Sequence, residues 1–369
     1  MEVRGAAQDG ETVEVLSADE TWLAKGAYSS KSQIRVRIWS WDPDEEIDPK
    51  FFQKRIEKAI ELRRWCIDPA QANAYRLIHA ESDGLPGLIV DCYHDILVIQ
   101  CLSWGAERWR EAIVKNLVEL TNLHSVYERS DVDVRRLEGL EVRSGLIQGE
   151  MPPERVKIRE HGIHYWVDLA HGHKTGFYLD QRANRRIIGQ LAEGRETLDC
   201  FSYTGGFALS ALKGGAKSCL GIEASGEAIQ LARENIDLNG VNHKAVDWIQ
   251  GNAFQVLRQL RDQGRKFDLV VTDPPKFAAT AAQAERAARG YKDINLLGLK
   301  LLRPGGILGA FSCSGGINAD LFQKILAGAA LDAGVEARII QRLSQDRDHP
   351  VALNFPEGEY LKGLLVYVE

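Results

Sequence analysis

Residues 197–212 read Thr-Leu-Asp-Cys-Phe-Ser-Tyr-Thr-Gly-Gly-Phe-Ala-Leu-Ser-Ala-Leu. The apolar start predicts a buried strand over 197–201, and the second half predicts a helix that opens at Gly206. The glycine pair between them lets the backbone approach a ligand at a helix N-terminus. Residues 218–222 predict the next strand, and 228–238 predict the amphipathic helix that follows it. Such alternation of strand and helix is typical of a parallel, doubly wound sheet.

The chain before this alternation has a different pattern. Alternating apolar and polar residues predict short strands over 12–16 and 34–38. Asp48 followed by Pro49 predicts a helix start with Asp48 as N-cap, and an apolar stripe predicts a further helix near 106–121. A chain of 369 residues is long enough for two or three domains. After the short strands within residues 1–45, the pattern predicts a central α+β domain over 46–185 and the doubly wound α/β domain over 186–369.

Composition excludes several classes of protein. About 18 consecutive apolar residues are needed to span a bilayer, and no run in this chain reaches that length. The polar start lacks a signal-peptide core, so we expect a cytoplasmic location and no membrane partner. The six cysteines occur singly and the net charge is −6, which argues against a disulfide framework, a zinc site and indiscriminate binding of polyanions. We therefore expect no metal.

Four polar features follow the predicted strands in order. Gly205 and Gly206 form the first, and Glu223, at the end of the second strand, could accept hydrogen bonds from both hydroxyls of a ribose. Asn252 follows the third strand and could read an adenine edge, and Asp273 follows the fourth. A GxGxxG fingerprint is missing, which disfavours a dinucleotide. The set predicts a nucleoside cofactor without a pyrophosphate, namely S-adenosylmethionine.

One thiol is placed where chemistry occurs in such a fold. Phe311-Ser-Cys-Ser-Gly315 follows the apolar run 306–310, so Cys313 should lie at the carboxyl end of a buried strand. A free cysteine is more often a small core residue than a nucleophile. The carboxylate of Asp273 at the end of another strand favours the nucleophile over the core residue, because a carboxylate and a thiol could hold a planar base between them.

A local basic face could bind RNA despite the negative net charge. Arg35 and Arg37 are followed at the same spacing by Trp39 and Trp41, and unpaired RNA bases stack on aromatic rings. A strand with one solvated face explains the same pattern equally well. We assign Arg35, Arg37 and also Lys276 to RNA binding as predictions.

Several longer stretches resemble one family. They are Trp22–Ser29, Glu81–Gly87, His171–Arg182, Phe201–Phe207, Asp273–Phe277, Arg289–Asn295 and Phe311–Gly315. From about Gly10 to the C-terminus, the chain resembles the bacterial large-subunit ribosomal RNA cytosine-C5 methyltransferases, which are class I enzymes dependent on S-adenosylmethionine.

The resemblance implies three parts: an N-terminal PUA RNA-binding domain, a central α+β domain and a C-terminal Rossmann-like methyltransferase domain. Since the match starts inside the PUA domain, we expect residues 1–45 to be a partial one. The resemblance also implies that the segment from Lys174 to Arg182 lies against the cofactor. The implied cofactor contacts there and in the glycine loop are Lys174, Tyr178, Asp180, Gln181, Phe201 and Tyr203. The implied partner is 23S ribosomal RNA, free or in an assembling large-subunit particle, and a homodimer is left open.

The implied chemistry begins with a thiolate that adds to carbon 6 of cytosine and makes carbon 5 nucleophilic. Cys313 would be that nucleophile, and Asp273 would hydrogen-bond the base near N3. Many cytosine-C5 methyltransferases have a cysteine after the Asp-Pro-Pro-like motif, but here Lys276 follows Pro275, which implies a single-cysteine mechanism. Two alternatives stay open: a methyltransferase acting on a base nitrogen, and a non-catalytic RNA-binding protein of ribosome assembly.

Overall fold

The computed structural model describes residues 4–278 and 283–369, which divide into two compact units. The first unit comprises the described residues up to Glu160, together with Val167–Asp180 and Arg347–Gly358. The second unit comprises the described residues of His161–Trp166, Gln181–Asp346 and Glu359–Glu369. The domain boundaries expected at 45 and 185 stay predictions.

The first unit contains two sheets and several helices. Its strands are β1 (Thr12–Leu16), β2 (Trp22–Tyr28), β3 (Val36–Ser40), β4 (Ala74–His79), β5 (Leu88–Tyr93), β6 (Ile96–Cys101), β7 (Ser125–Ser130), β8 (Arg143–Gln148) and β9 (Val156–Glu160). Its helices are α1 (Pro49–Cys66), α2 (Trp104–Arg108), α3 (Arg110–Thr121) and α4 (Val134–Leu137). Strands β1–β2–β3 form an antiparallel sheet. Strands β4 to β8 form a second sheet in sequence order, parallel only between β6 and β7.

Aromatic packing joins the two sheets of the first unit into one core. The Trp39 ring of β3 meets Phe51 and Phe52 of α1 edge-on, with centroids 6.1 and 5.2 Å apart. Asp48 caps α1 as predicted, accepting a hydrogen bond from the amide of Phe51. Fully burying one such side chain contributes about 1.5–3 kcal/mol, so this cluster links the N-terminal strands to the rest of the unit.

Two boundaries differ from the sequence-based predictions. The second predicted strand is observed at Val36–Ser40 and not at 34–38. The helix predicted over 106–121 is interrupted at Trp109, whose backbone ψ of 7° does not continue α2 into α3. The Trp109 ring packs on Phe52, with centroids 4.9 Å apart. Tertiary packing here outweighs the local periodicity.

The second unit is built on a large sheet covered by helices. Its strands are β10 (Ile163–Val167, whose last residue belongs to the first unit), β11 (Glu196–Cys200), β12 (Ser218–Glu223), β13 (Val246–Gln250), β14 (Phe267–Thr272), β15 (Leu302–Ser312), β16 (Ala337–Leu343) and β17 (Lys362–Val368). Its helices are α5 (Arg182–Gln190), α6 (Gly206–Lys213), α7 (Gly226–Leu238), α8 (Ala253–Asp262), α9 (Ala284–Leu301) and α10 (Ala319–Ala333).

The sheet order in the second unit is β13-β12-β11-β14-β15-β17-β16. Pairing is parallel from β13 to β15, and β17 is antiparallel to both of its neighbours. This confirms the predicted doubly wound sheet. The strand order reverses between β11 and β14, which is the switch point where such sheets bind ligands at the carboxyl ends of the strands.

Strand register brings the predicted polar residues to one edge. Cys200 of β11 pairs with Ile222 of β12 and with Thr272 of β14, and Thr272 pairs with Ala310 of β15. The residues that directly follow these positions therefore emerge at the same level of the sheet. Among the described residues, no helix combines the length and apolar character needed to cross a lipid bilayer.

We predict that Asp48→Ala weakens the start of α1. Loss of an N-cap side chain costs about 1 kcal/mol, so the amide of Phe51 should lose protection in hydrogen exchange. The control is Glu61→Ala, an exposed position on the same helix, which should leave that protection unchanged. Equal protection in the wild type and in Asp48→Ala would contradict the capping role.

Candidate functional site

A buried carboxylate lies at the centre of the site. Asp199 of β11 is 1% exposed, and its Oδ2 accepts a hydrogen bond of 3.0 Å from the amide of Ala208 in the first turn of α6. Its Oδ1 has no hydrogen-bond partner among the described residues. Burial, assisted by the nearby charge of Asp273, raises the pKa of Asp199 to about 7. An isolated buried acceptor of this kind suits a positively charged ligand group.

Sequence reasoning missed Asp199, although the residue stands in the stretch that decides the fold. The available signal was an acidic residue inside an otherwise apolar strand, one position before the strand ends. Acidic residues are almost never fully buried unless they are paired, so such a position merits attention in any predicted core strand.

The loop after β11 is tightly constrained. Phe201 and Tyr203 adopt positive φ angles of 64° and 50°, a region that non-glycine residues rarely enter. Gly205 has φ of 79°, and a Cβ there would lie 2.8 Å from the ring of Trp248. Both conformation and space therefore require glycine at 205, and Gly206 opens α6 as predicted.

Glu223 connects the end of β12 to this loop. Its Oε2 accepts a hydrogen bond of 2.8 Å from the amide of Tyr203, and its Oε1 accepts from the amides of Ala224 and Ser225 at 2.7 and 3.0 Å. Each carboxylate oxygen can accept more than one hydrogen bond, so the side chain retains capacity for ligand hydroxyls.

Asn252 is the N-cap of α8. Its Oδ1 accepts hydrogen bonds from the amides of Phe254 and Gln255 at 3.0 and 3.4 Å, and the residue is exposed. These bonds orient the side-chain amide so that its NH₂ group is the part that remains for a ligand. The proposed reading of an adenine edge by Asn252 stays a prediction.

Asp273 directly follows β14 and is held by a side chain from another element. The Nε2 of Gln181 donates a hydrogen bond of 2.9 Å to its Oδ2, and Gln181 in turn accepts one of 2.6 Å from Asn184. Gln181 is 2% exposed. Two predicted site residues that are far apart in sequence, Gln181 and Asp273, are thus in contact.

Cys313 follows β15 and is half-buried. The next residue, Ser314, is fully buried, and its Oγ accepts hydrogen bonds of 3.1 Å from the amides of both Phe277 and Ala278. The Tyr291 hydroxyl of α9 lies 2.9 Å from the same oxygen. Ser314 therefore ties the thiol-bearing turn to the loop that begins with Asp273, a link that sequence reasoning missed.

Three predicted cofactor residues lie in the first unit. The Nζ of Lys174 donates to Asp180 Oδ2 at 2.6 Å and lies 4.5 Å from the centroid of the Tyr178 ring. Lys174 also has a positive φ of 55°. The segment is therefore internally ordered, and its role in cofactor binding stays a prediction.

The predicted RNA-binding arginines make contacts within the first unit. Arg35 donates to the Tyr28 hydroxyl at 2.8 Å, and Arg37 forms ion pairs with Glu81 and Glu138 at 3.2 and 2.9 Å. The charge of Arg37 is therefore already compensated, which leaves less of it for a phosphate. RNA binding by both residues stays a prediction.

Lys276 is exposed and lies along a groove in the second unit. The groove has a volume of about 420 Å³ and is also lined by Phe254, Phe277 and Arg286. The two phenylalanine rings are 6.1 Å apart between centroids and tilted by 38°. Two cations beside two aromatic rings form a surface suited to a nucleic-acid strand.

Comparison with family models matches both parts of the chain. Residues 139–355 match the S-adenosylmethionine-dependent methyltransferase model, which covers more than half of the chain. Residues 1–41 match a PUA-like domain model.

The alignments with relatives of high sequence identity cover almost the full length of the chain. The chain is 51% identical to a ribosomal RNA large subunit methyltransferase I from Aeromonas salmonicida, covering 99% of this chain and 92% of the relative. It is 48% identical to the protein of the same name from Escherichia coli O139:H28, covering 98% and 91%. A solved structure from Streptococcus mutans, described as a proposed S-adenosylmethionine-dependent methyltransferase, has the same fold, with 22% identity, a TM-score of 0.85 and coverage of 99% and 93%.

We predict that Asp199→Asn stabilises the protein without its ligand in a pH-dependent manner. The carboxyl has a folded-state pKa of about 7 and an ordinary value of 3.8. Its ionised form therefore destabilises the fold increasingly as pH rises from 4 to 7. The gain in the free energy of unfolding should reach at most about 4 kcal/mol above pH 7 and should shrink towards pH 4.

Melting temperatures at pH 5 and pH 8 test this prediction. The difference between Asp199→Asn and wild type should be larger at pH 8. The control is Asp247→Asn, an exposed position on β13, which should give the same small difference at both pH values. An equal shift for Asp199→Asn at both pH values would contradict the buried-carboxylate account.

Proposed function

The chain belongs to the S-adenosylmethionine-dependent ribosomal RNA large subunit methyltransferase I family, and from this we propose that it methylates carbon 5 of a cytosine in 23S ribosomal RNA. The predicted activity as an S-adenosylmethionine-dependent ribosomal RNA methyltransferase, the cofactor and the fold class are thereby confirmed. The position on the base, the residue roles and the form of the RNA substrate are our proposal. A free RNA, an assembling large-subunit particle and a homodimeric enzyme are compatible with it.

The observation that carries the proposal is the link between the thiol and the carboxylate. Cys313 follows β15, Asp273 follows the adjacent strand β14, and Ser314 Oγ joins the two segments through the amides of Phe277 and Ala278. A nucleophile and a hydrogen-bonding carboxylate on adjacent strand ends are what addition to a pyrimidine ring requires.

We assign the following steps to these residues. The thiolate of Cys313 adds to carbon 6, and the electrons of the 5,6 double bond make carbon 5 nucleophilic. Asp273, oriented by Gln181, hydrogen-bonds the base near N3 and stabilises the charge that develops. After carbon 5 is methylated, loss of its proton to a base restores the double bond and expels the Cys313 thiolate.

The second unit has groups that fit S-adenosylmethionine, which when bound supplies an electrophilic methyl group on a sulfonium. The Oδ1 of Asp199, which accepts no hydrogen bond from the residues that the structure describes, suits the positive charge of that molecule. Glu223 would accept hydrogen bonds from the ribose, and the Gly205 turn leaves the backbone open to close approach. Asn252 would contact the adenine through its NH₂ group.

The groove of Phe254, Lys276, Phe277 and Arg286 supports RNA as the substrate. It begins at the loop that carries Asp273, so a strand lying in it would pass close to the base-binding carboxylate. Aromatic rings can stack on bases beside a target nucleotide that has left its stack.

We predict that Cys313→Ala lowers methylation of 23S ribosomal RNA by at least about a thousandfold, because it removes the nucleophile. The substrate is ribosomal RNA from a strain that lacks the gene, offered free or as large-subunit particles, and bisulfite sequencing identifies the product. RNA containing 5-fluorocytosine should trap a covalent adduct with the wild type and none with the variant, since fluorine blocks the loss of the carbon-5 substituent.

The control is Cys66→Ala, in α1 of the first unit, which should retain full activity. Retained activity in Cys313→Ala would favour methylation of a base nitrogen. Failure of the wild-type protein to bind S-adenosylmethionine would favour the non-catalytic assembly protein. Binding without methylation of carbon 5 in any cytosine would contradict the proposed function.

A further prediction concerns Ser314→Ala. The change leaves the amides of Phe277 and Ala278 without their buried acceptor, at about 1–3 kcal/mol for each group, and loosens the Asp273 loop. We expect kcat to fall about tenfold to a hundredfold, while calorimetry gives an unchanged affinity for S-adenosylmethionine. Tyr291→Phe removes one of the three contacts and should have a smaller effect. Equal kcat for Ser314→Ala and wild type would contradict this role.

A further inference from the structure

A buried lysine lies beside the turn that carries Cys313. Lys362 begins β17 and pairs with Ser312 of β15 in the antiparallel ladder. The lysine is 8% exposed. Its Nζ donates hydrogen bonds of 2.9 Å to the carbonyl oxygen of Ser314 and 2.7 Å to that of Tyr360. The ammonium thus hydrogen-bonds to the backbone one residue beyond Cys313.

These two hydrogen bonds do not balance the charge of the lysine. Carbonyl oxygens are neutral acceptors, so they solvate the ammonium without cancelling its charge, and a buried ammonium gains from a nearby anion. Burial lowers the pKa of Lys362, whereas the charges of Cys313 and Glu359 raise it and that of Lys276 lowers it. A Cys313 thiolate is the anion that lies on the turn the lysine already holds.

A titratable group that contacts this turn from α9 is Tyr291. Its hydroxyl is bonded to Ser314 Oγ, and burial, together with the charge of Cys313, raises its pKa. Tyr291 therefore stays neutral near pH 7 and supplies no competing charge. The cation that interacts with the thiol from β17 is Lys362, and the exposed Lys276, on the loop after β14, acts in turn on Lys362.

We propose that Lys362 is a positioning residue of the methylation reaction, which fixes the turn that carries Cys313 and stabilises the thiolate form of that residue. The inference rests on the proposed function. The proton of the thiol is released to solvent, and Lys362 remains an ammonium throughout. The same charge favours both the attack of the sulfur on carbon 6 and its later departure, since a stabilised thiolate is a better leaving group.

The test measures the thiol and does not depend on turnover. Iodoacetamide alkylation of Cys313 is followed by peptide mass spectrometry between pH 5 and pH 9.5, with the half-buried Cys66 of the same molecule as reference. In the wild type, the rate of Cys313 should reach its half-maximum at lower pH than the rate of Cys66. Lys362→Met should slow alkylation of Cys313 at pH 7 about tenfold, equivalent to one pKa unit, and Lys362→Arg should restore most of the rate.

Lys266 provides a matched control. Its Nζ also donates to two backbone carbonyls, those of Lys300 and Leu302 at 2.8 and 3.4 Å, at the opposite end of β15. Lys266→Met should leave the alkylation of Cys313 unchanged. The comparison separates the effect of the Lys362 charge on Cys313 from the structural effect of removing a lysine that hydrogen-bonds to backbone carbonyls.

Two results would overturn the inference: a wild-type profile in which Cys313 titrates at or above the pH of Cys66, or an unchanged rate in Lys362→Met. If Lys362→Met does not fold, the role of Lys362 is tested by the pH profile of Cys313 alkylation in the wild type and by the alkylation rate in Lys362→Arg. Suppose that Cys313→Ala loses methylation, while Cys313 in Lys362→Met is alkylated at the wild-type rate. That combination would refute the role of Lys362 and leave the proposed function intact. Full methylation in Cys313→Ala would refute the proposed function instead.

Discussion

The charge of Asp199 is the constraint on which the site depends. The carboxylate lies in the central strand β11, where the sheet is covered on both faces. Its Oδ2 accepts a hydrogen bond from the amide of Ala208, whereas its Oδ1 accepts none from the described residues. Without a ligand, burial raises its pKa to about 7, so that the group is only partly ionised near neutral pH. A cationic ligand would convert this unfavourable buried charge into a favourable pair. In our proposal, the lower stability of the free protein is exchanged for affinity, as is common at binding sites.

The loop beside this carboxylate also contains energetically unfavourable features, which here lie in its backbone. Phe201 and Tyr203 have positive φ angles, which cost of order 1–3 kcal/mol each. Glu223 offsets part of this cost, because its carboxylate accepts a charge-assisted hydrogen bond from the amide of Tyr203. The residue predicted to hold the ribose therefore also holds the loop, so a change at Glu223 would alter the ligand contact and the loop conformation together.

Local patterns predicted the parts of the fold that local chemistry determines. The cap at Asp48, the opening of α6 at Gly206 and the alternation that produces the parallel sheet all depend on residues within one turn or strand, and all were confirmed. The break of the helix at Trp109 and the start of β3 at Val36 depend on packing between elements, which periodicity does not encode. The hydrogen bond from Gln181 to Asp273 joins residues 92 positions apart. Only the fold of the chain reveals that contact, although both residues had been predicted as site residues from motifs.

The surroundings of Cys313 show why such links could not be found from sequence. The thiol-bearing turn is held from two sides by elements that have no sequence relation to it: the loop after β14, through Ser314 Oγ, and the antiparallel strand β17, through Lys362. A lysine at the head of an apolar strand is usually a solvated edge residue, and its sequence context offers no reason to read it otherwise. Antiparallel pairing with β15 is what turns its side chain towards the carbonyl of Ser314. Strand β17 therefore extends the sheet and also supports the turn that carries Cys313, so the geometry of this thiol depends on the correct placement of β17.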